Sequence, residues 1–273
     1  MFNPGKIIWS ADVSLSELSA VVNSGVLPEG LIIKLDQQWI IANLIVAPLR
    51  SGKKAKDLTL DDLAIMLDSY HLIGAIQDKY RIFLDWKMSE IPTKVEGITK
   101  EFGYLTPLFM LNCMAGITST GLWKHEDKQK IDGLKRFADS CHTLGIHPTA
   151  VTVLTSKTGE TCQGEFGKEA QEQVKYYAGL LSKAGFTDLV CSPQEAEFIR
   201  SHSEFGGLHL NCPGIRLPDT NHRDQSRVMT PVKALEFVNR LVIGSNITDG
   251  TNPDIIERVR ANIQRLKDHI EGG

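Results

Sequence analysis

The 273-residue sequence has no apolar run long enough to span a bilayer. Its first six residues pass straight into a strand-like segment, so no signal peptide is expected. It carries little net charge, −3, with lysine and arginine scattered along the chain, which leaves no basic footprint for nucleic acid or an acidic membrane. Cysteine is scarce. Cys113, Cys141, Cys162, Cys191 and Cys212 are odd in number and widely spaced, which fits reduced thiols in a cytoplasmic enzyme rather than a disulfide framework. No Gly-x-Gly-x-x-Gly follows the first strand, and there is no Walker-type glycine loop and no Gly-x-Ser-x-Gly elbow. The eight histidines show neither His-x-x-x-His nor His-Glu-x-x-His spacing, so no metal site is expected. His142 and His147 straddle a helix end and read as surface residues. No linker, repeat or low-complexity segment divides the chain, so residues 1–273 are expected to form one domain.

What is present is alternation. Apolar runs at 7–12, 31–34, 82–84, 108–112, 149–154, 188–192, 208–211 and 241–245 have strand character, and each ends in polar or glycine residues. Helical patterns lie between them. Ser14 caps a helix starting near Leu15, with Glu17 in its first turn. Residues 39–46 read as a buried helix, and 60–79 as a helix with Leu60, Leu63, Ala64, Leu67 and His71 near one face. Further helices are expected at 93–102, 132–144 and 168–184, and after Pro193, Pro231 and Pro253. Residues 51–56 read as an exposed basic loop and 159–167 as a mobile, glycine-rich one. Strict βα alternation over this length predicts an α/β fold with a parallel sheet, most simply a closed (β/α)₈ barrel. The open doubly wound sheet is the rival; the missing dinucleotide fingerprint favours the barrel.

The chemistry is concentrated in Ile82-Phe83-Leu84-Asp85-Trp86-Lys87-Met88-Ser89-Glu90-Ile91-Pro92, where an apolar strand delivers Asp85, Lys87 and Glu90 within six residues. If the strand stays extended, Asp85 and Lys87 share a face. A lone Asp-x-Lys is ordinarily a surface ion pair. Here Asp12 and Lys34 end the first two strands, and a barrel gathers strand ends around one mouth. A lysine between carboxylates stays protonated, which makes it a proton donor rather than a Schiff-base nucleophile. A carboxylate held against an anionic substrate raises that substrate's energy. Together these point to loss of a carboxylate group and protonation of the carbanion left behind. At the last two strands, Gly214, Arg216 and Gly244 stand where barrels often hold a phosphate.

With these residues in view, the chain resembles the orotidine 5′-phosphate decarboxylase family over nearly its whole length. Residues 83–92 are similar to the family's Asp-x-Lys-x-x-Asp-Ile-Pro signature. Val151-Thr152-Val153-Leu154-Thr155-Ser156, Val190-Cys191-Ser192-Pro193, Pro213-Gly214-Ile215-Arg216, residues 224–231 and Val242-Ile243-Gly244 follow in the family's order. The resemblance implies a (β/α)₈ barrel, no cofactor, and a cytoplasmic homodimer with shared active sites that converts orotidine 5′-phosphate (OMP) to UMP in pyrimidine biosynthesis. It implies that Lys87 protonates the ring carbon and that Lys34 and Asp85 complete a charged network. Glu90 would reach the partner's site and Asp12 would hold the ribose. Thr155 and Ser156 would meet the base; Arg216, Gln225, Gly244 and Ser245 would meet the phosphate.

The sequence also departs from the family. Glu90 replaces an aspartate, Ser245 stands where the family has an arginine, and Asp36 stands where a glycine is usual. Lys53, Lys54 and Arg227 are candidates to replace the missing arginine. Extra residues between Lys34 and Asp85 imply an insertion around 50–60. These departures leave two alternatives open: a divergent barrel acting on another phosphorylated carboxylate or sugar, and a catalytically weak nucleotide-binding relative.

Overall fold

The computed structural model describes residues 1–105, 108–116, 127–154, 157, 159–218 and 228–272. Eight parallel strands pair in sequence order, and the last closes on the first. They are β1 (Ile7–Ser10), β2 (Ile32–Asp36), β3 (Arg81–Met88), β4 (Met110–Met114), β5 (His147–Val151), β6 (Asp188–Val190), β7 (His209–Cys212) and β8 (Arg240–Ile243). Each falls on or beside one of the apolar runs, and the expected (β/α)₈ barrel is present. The helices are α1 (Leu15–Ser24), α2 (Gln37–Ile40), α3 (Leu60–Gln77), α4 (Pro92–Leu105), α5 (Asp127–Thr143), α6 (Gly159–Phe166), α7 (Ala170–Lys183), α8 (Pro193–Arg200), α9 (Pro231–Ala234), α10 (Ser245–Thr248) and α11 (Ile255–Gly272). Among the described residues no helix is long and apolar enough to cross a membrane.

Side-chain alternation splits the core in two. Ile8, Ile32, Phe83 and Met110 form a small interior plug, with Val242 packed on it. The residues between them in sequence, such as Ile7, Trp9, Ile33, Ile82 and Leu84, join the larger core between barrel and helices. Burying each such side chain contributes about 1.5–3 kcal/mol. The plug seals the barrel below its carboxyl-terminal mouth, and the same parity one step further carries Ser10, Lys34 and Asp85 to that mouth.

Helix starts follow their caps. Ser14 and Glu17 form a reciprocal capping box on α1, and Ser192 and Glu195 form another on α8, with Pro193 as its first residue. Asp36, where a glycine is usual in the family, accepts the Trp39 N–H at 2.7 Å and starts α2. All five cysteines are buried and unbridged.

Several expectations are corrected. Residues 39–46 are not one buried helix: α2 passes into a π-helical turn, Ile41–Ile45, whose Ile45 is 56% exposed. The face of α3 that carries Leu60 and Leu67 is exposed at both, and the buried residues are Ser69, Leu72, Ile73 and Ile76. Only the carboxyl-terminal half of α3 lies on the barrel. Residues 159–167 are not simply a loop; they form α6, held by buried Cys162 and by the Phe166 ring set edge-on to Tyr177. The last helix starts at Ile255, and Asn252 and Asp254 cap the turn before it. The basic segment 51–56 overlaps two short 3₁₀ turns, Ala47–Ser51 and Ala55–Asp57, and Lys53 pairs with Asp62 at 2.7 Å.

His147 is not a plain surface residue. It opens β5 with Nδ1 3.4 Å from the carboxylate of Asp188, which is fully buried at the amino-terminal end of the barrel. Arg240 donates to Asp188 at 2.6 Å, Asn211 at 3.1 Å, and His209 Nδ1 lies 3.7 Å away. Burial pushes the Asp188 carboxyl up, but the His147 imidazole beside it and the Arg240 charge outweigh it and hold it below the usual carboxylate range.

Candidate active site

The mouth of the barrel is shaped by an irregularity in β3. Leu84 is opposite Leu111, but the next pair is Met88 with Cys113. Asp85, Trp86 and Lys87 therefore face the single residue Asn112, a bulge of two extra residues. Lys87 is the one non-glycine residue with positive φ, +52°, among those described. The extended Asp85-to-Lys87 geometry read from the sequence is thus corrected, since the left-handed turn costs an L-residue about 1–2 kcal/mol. It nevertheless aims the amine back over Asp85.

Lys34 Nζ and Lys87 Nζ each donate to Oδ2 of Asp85 at 2.7 Å. Asn112 Nδ2 donates to the other oxygen, Oδ1, at 2.6 Å. Asn112 Oδ1 in turn accepts the backbone N–H of Lys87 at 2.7 Å. Asp85 is buried, while the Lys87 side chain is 41% exposed toward the mouth. Burial pushes the Asp85 carboxyl up, yet the Lys34 and Lys87 charges outweigh it and lower it to about 2. The array is an ionised carboxylate locked by three donors, with one ammonium mostly covered and one facing outward.

Lys34, Asp85 and Lys87 line a cavity of about 340 Å³, with Asn112 behind them. Asp12, Arg216, Gly244 and Ser245 also line it, with an apolar floor that includes Phe83, Val151, Val190 and Val242. Ser10 Oγ donates to Asp12 Oδ2 at 2.9 Å and orients that carboxylate. Across the mouth, Gly214 turns the chain with φ +82°, a conformation that suits glycine. The bridge between Ile215 and Met229 then holds Arg216, whose N–H meets the Met229 carbonyl at 3.0 Å. Asn246 Oδ1 accepts the Leu217 N–H at 3.1 Å and ties this loop to α10.

Most expected site residues therefore meet: Asp12, Lys34, Asp85, Lys87, Arg216, Gly244 and Ser245 share one cavity. Glu90 does not line it and is exposed just before α4. Thr155, Ser156 and Gln225, and the candidate replacement Arg227, lie outside the described residues; Leu154, next to Thr155, lines the cavity. Lys53 and Lys54 do not line it. Sequence reading missed Ser10 and Asn112. The signal for Asn112 was one polar residue inside the apolar run Met110-Leu111-Asn112-Cys113, two residues beyond Met110 and so on the interior face. Among the described residues, no group of three or more His, Cys, Asp or Glu side chains could hold a metal ion.

Comparison with known proteins identifies the family and the fold. The profile of the orotidine 5′-phosphate decarboxylase / HUMPS family matches residues 65–255. The orotidine 5′-phosphate decarboxylase of Mannheimia succiniciproducens is 35% identical over 202 residues, covering 72% of this chain and 81% of that protein. Among solved structures, an uncharacterised conserved protein of Geobacillus kaustophilus superposes with a TM-score of 0.66 at 17% identity, over 97% of this chain and 99% of its own. The orotidine 5′-phosphate decarboxylase of Lactobacillus acidophilus gives 0.62 at 20% identity, over 95% and 98%. At those identities the structures speak for the fold.

Proposed function

The chain belongs to the orotidine 5′-phosphate decarboxylase / HUMPS family, and from that premise we propose that it decarboxylates OMP to UMP in pyrimidine biosynthesis. The observation that carries this is the sharing of one Asp85 oxygen by Lys34 and Lys87 at the barrel mouth.

In this reading the pyrimidine lies over the apolar floor, with its carboxylate toward Asp85. Two like charges in a partly dry site raise the energy of the bound substrate, and that strain is relieved as carbon dioxide leaves. The carbon–carbon bond breaks, and its electron pair stays on the ring carbon. Lys87 donates a proton from its ammonium to that carbon, and the neutral amine then recovers a proton from water. Lys34 keeps Asp85 ionised and fixed. Asp12, oriented by Ser10, takes the ribose hydroxyls. The phosphate sits at the opposite end, on Arg216 and the Gly214 and Gly244 turns, with Ser245 beside it. Thr155 and Ser156 take the base, and Gln225 adds a phosphate contact.

The same reading makes the protein a cytoplasmic homodimer in which exposed Glu90 reaches the partner's site. Ile91, beside Glu90, and Ile45, Val46, Leu67 and Tyr70 are exposed apolar side chains that a second copy would cover. Light scattering is expected to give twice the chain mass; a monomer at high concentration contradicts the shared site.

One observation favours a second reading. Ser245 leaves the phosphate end without the family's arginine, which suits a barrel acting on another phosphorylated carboxylate or sugar. Incubation of the purified protein with OMP separates the readings. One UMP and one carbon dioxide per OMP consumed supports the decarboxylase. Tight UMP binding without turnover points to a nucleotide-binding relative, and binding of neither nucleotide points to a different substrate.

A further inference from the structure

We propose that Asn112 is a positioning residue for this chemistry, holding Lys87 in its left-handed turn and Asp85 in its orientation through the two ends of one amide. The proposal rests on the decarboxylase reading for its kinetic consequence but not for its geometry.

Asn112 is fully buried and stands alone opposite the three bulged residues of β3. A bulge of this kind removes backbone groups from the ladder, and a buried N–H without a partner is costly. The Asn112 side chain takes the place of the lost ladder contact, since its Oδ1 accepts the Lys87 N–H at 2.7 Å. Its Nδ2 meets Asp85 Oδ1 at 2.6 Å. The amide orientation follows from chemistry: a backbone N–H only donates and an ionised carboxylate only accepts. Aspartate or leucine at this place could not serve both partners at neutral pH. Because Oδ2 of Asp85 already takes both lysines, the Asn112 contact on Oδ1 is what stops the carboxylate from rotating about its bond. One side chain that touches neither amine thus sets the backbone that carries one of them and the acid that lies between both.

Two variants and one structure test this. Asn112→Ala is expected to lower kcat about a hundredfold, the scale of an ångström-sized misplacement of a reacting group. KM should stay within about threefold, because the groups at Asp12 and Arg216 that hold the rest of the substrate are untouched. Asn112→Asp keeps the acceptor for the Lys87 N–H but can donate to Asp85 only while the introduced carboxyl is protonated. Its kcat is therefore expected to be highest at low pH and to fall as that carboxyl ionises, a limb absent from the wild type and from Asn112→Ala. A purely structural role would not create that limb. The crystal structure of Asn112→Ala decides the geometry whatever the turnover: Lys87 is expected to leave positive φ and its amine to leave Oδ2 of Asp85. Lys87 retained at positive φ with its amine within 3 Å of Asp85, or kcat values within about threefold of wild type for both variants, overturns the proposal. Absence of OMP turnover in the wild type, with the Lys87 shift still seen in that structure, counts against the decarboxylase reading alone.

Discussion

Lys34 and Lys87, from neighbouring strands, donate to the same oxygen of Asp85, each over 2.7 Å. Two cations this close tolerate each other only while the carboxylate between them is ionised. The Asp85 carboxyl titrates at about 2, against 3.8 ordinarily. Its folded value is the lower one, so its contribution to stability is complete above about pH 5 and lost as the pH falls through about 2. That contribution is about 2 kcal/mol. Asp85→Asn is expected to unfold at lower denaturant than wild type at pH 7, with the difference shrinking steadily as the pH is lowered toward 2. A difference that grows on acidification contradicts the account.

The left-handed turn at Lys87 makes a second expectation. Glycine adopts φ +52° without strain and alanine does not. Lys87→Gly and Lys87→Ala should both lose activity, yet the glycine variant should be more stable than the alanine variant by about 1 kcal/mol in chemical denaturation. Equal stability, or a more stable alanine variant, would mean the turn is not strained.

The barrel's other end should matter for stability and not for chemistry. Asp188 is buried with Arg240, Asn211 and His147 around it, and its removal leaves the Arg240 charge uncompensated. Asp188→Asn is expected to cost about 3–5 kcal/mol of folding stability. The folded fraction should keep wild-type KM. A raised KM with unchanged stability would put Asp188 in the substrate site instead.

Ser245 opens α10 on the cavity wall, where the family resemblance places an arginine. Ser245→Arg adds a charge-assisted partner for a phosphate and should lower KM for OMP about tenfold, measured by initial rates. An unchanged or higher KM would mean that another residue already fills that role or that the phosphate lies elsewhere.

Much of this site was legible from residue pattern. Asp12, Lys34 and Asp85 each follow an apolar run, and parallel strands in a barrel bring such positions to one rim. Asn112 was not legible as a partner of Lys87, because its role depends on the two-residue slip between β3 and β4, and no periodicity records a slip. Nor could pattern tell that α3 turns only its carboxyl-terminal half to the barrel: Leu60 and Leu67 have the spacing of core residues but no layer above them. The glycines of residues 159–167 suggested a loop, but buried Cys162 and the contact of Phe166 with Tyr177 outweigh their low helix propensity. His147 was read by its place near a helix end, whereas its partner Asp188 lies forty-one residues further on, one strand across.

The most direct test of the central claim compares turnover with nucleotide binding in Lys87→Ala. A general acid contributes on the order of 10²–10⁴ in rate. The variant is therefore expected to lose about a hundredfold or more in kcat for OMP, while its Kd for UMP stays within about tenfold of wild type. Turnover within tenfold of wild type would contradict the assignment of Lys87 as the proton donor.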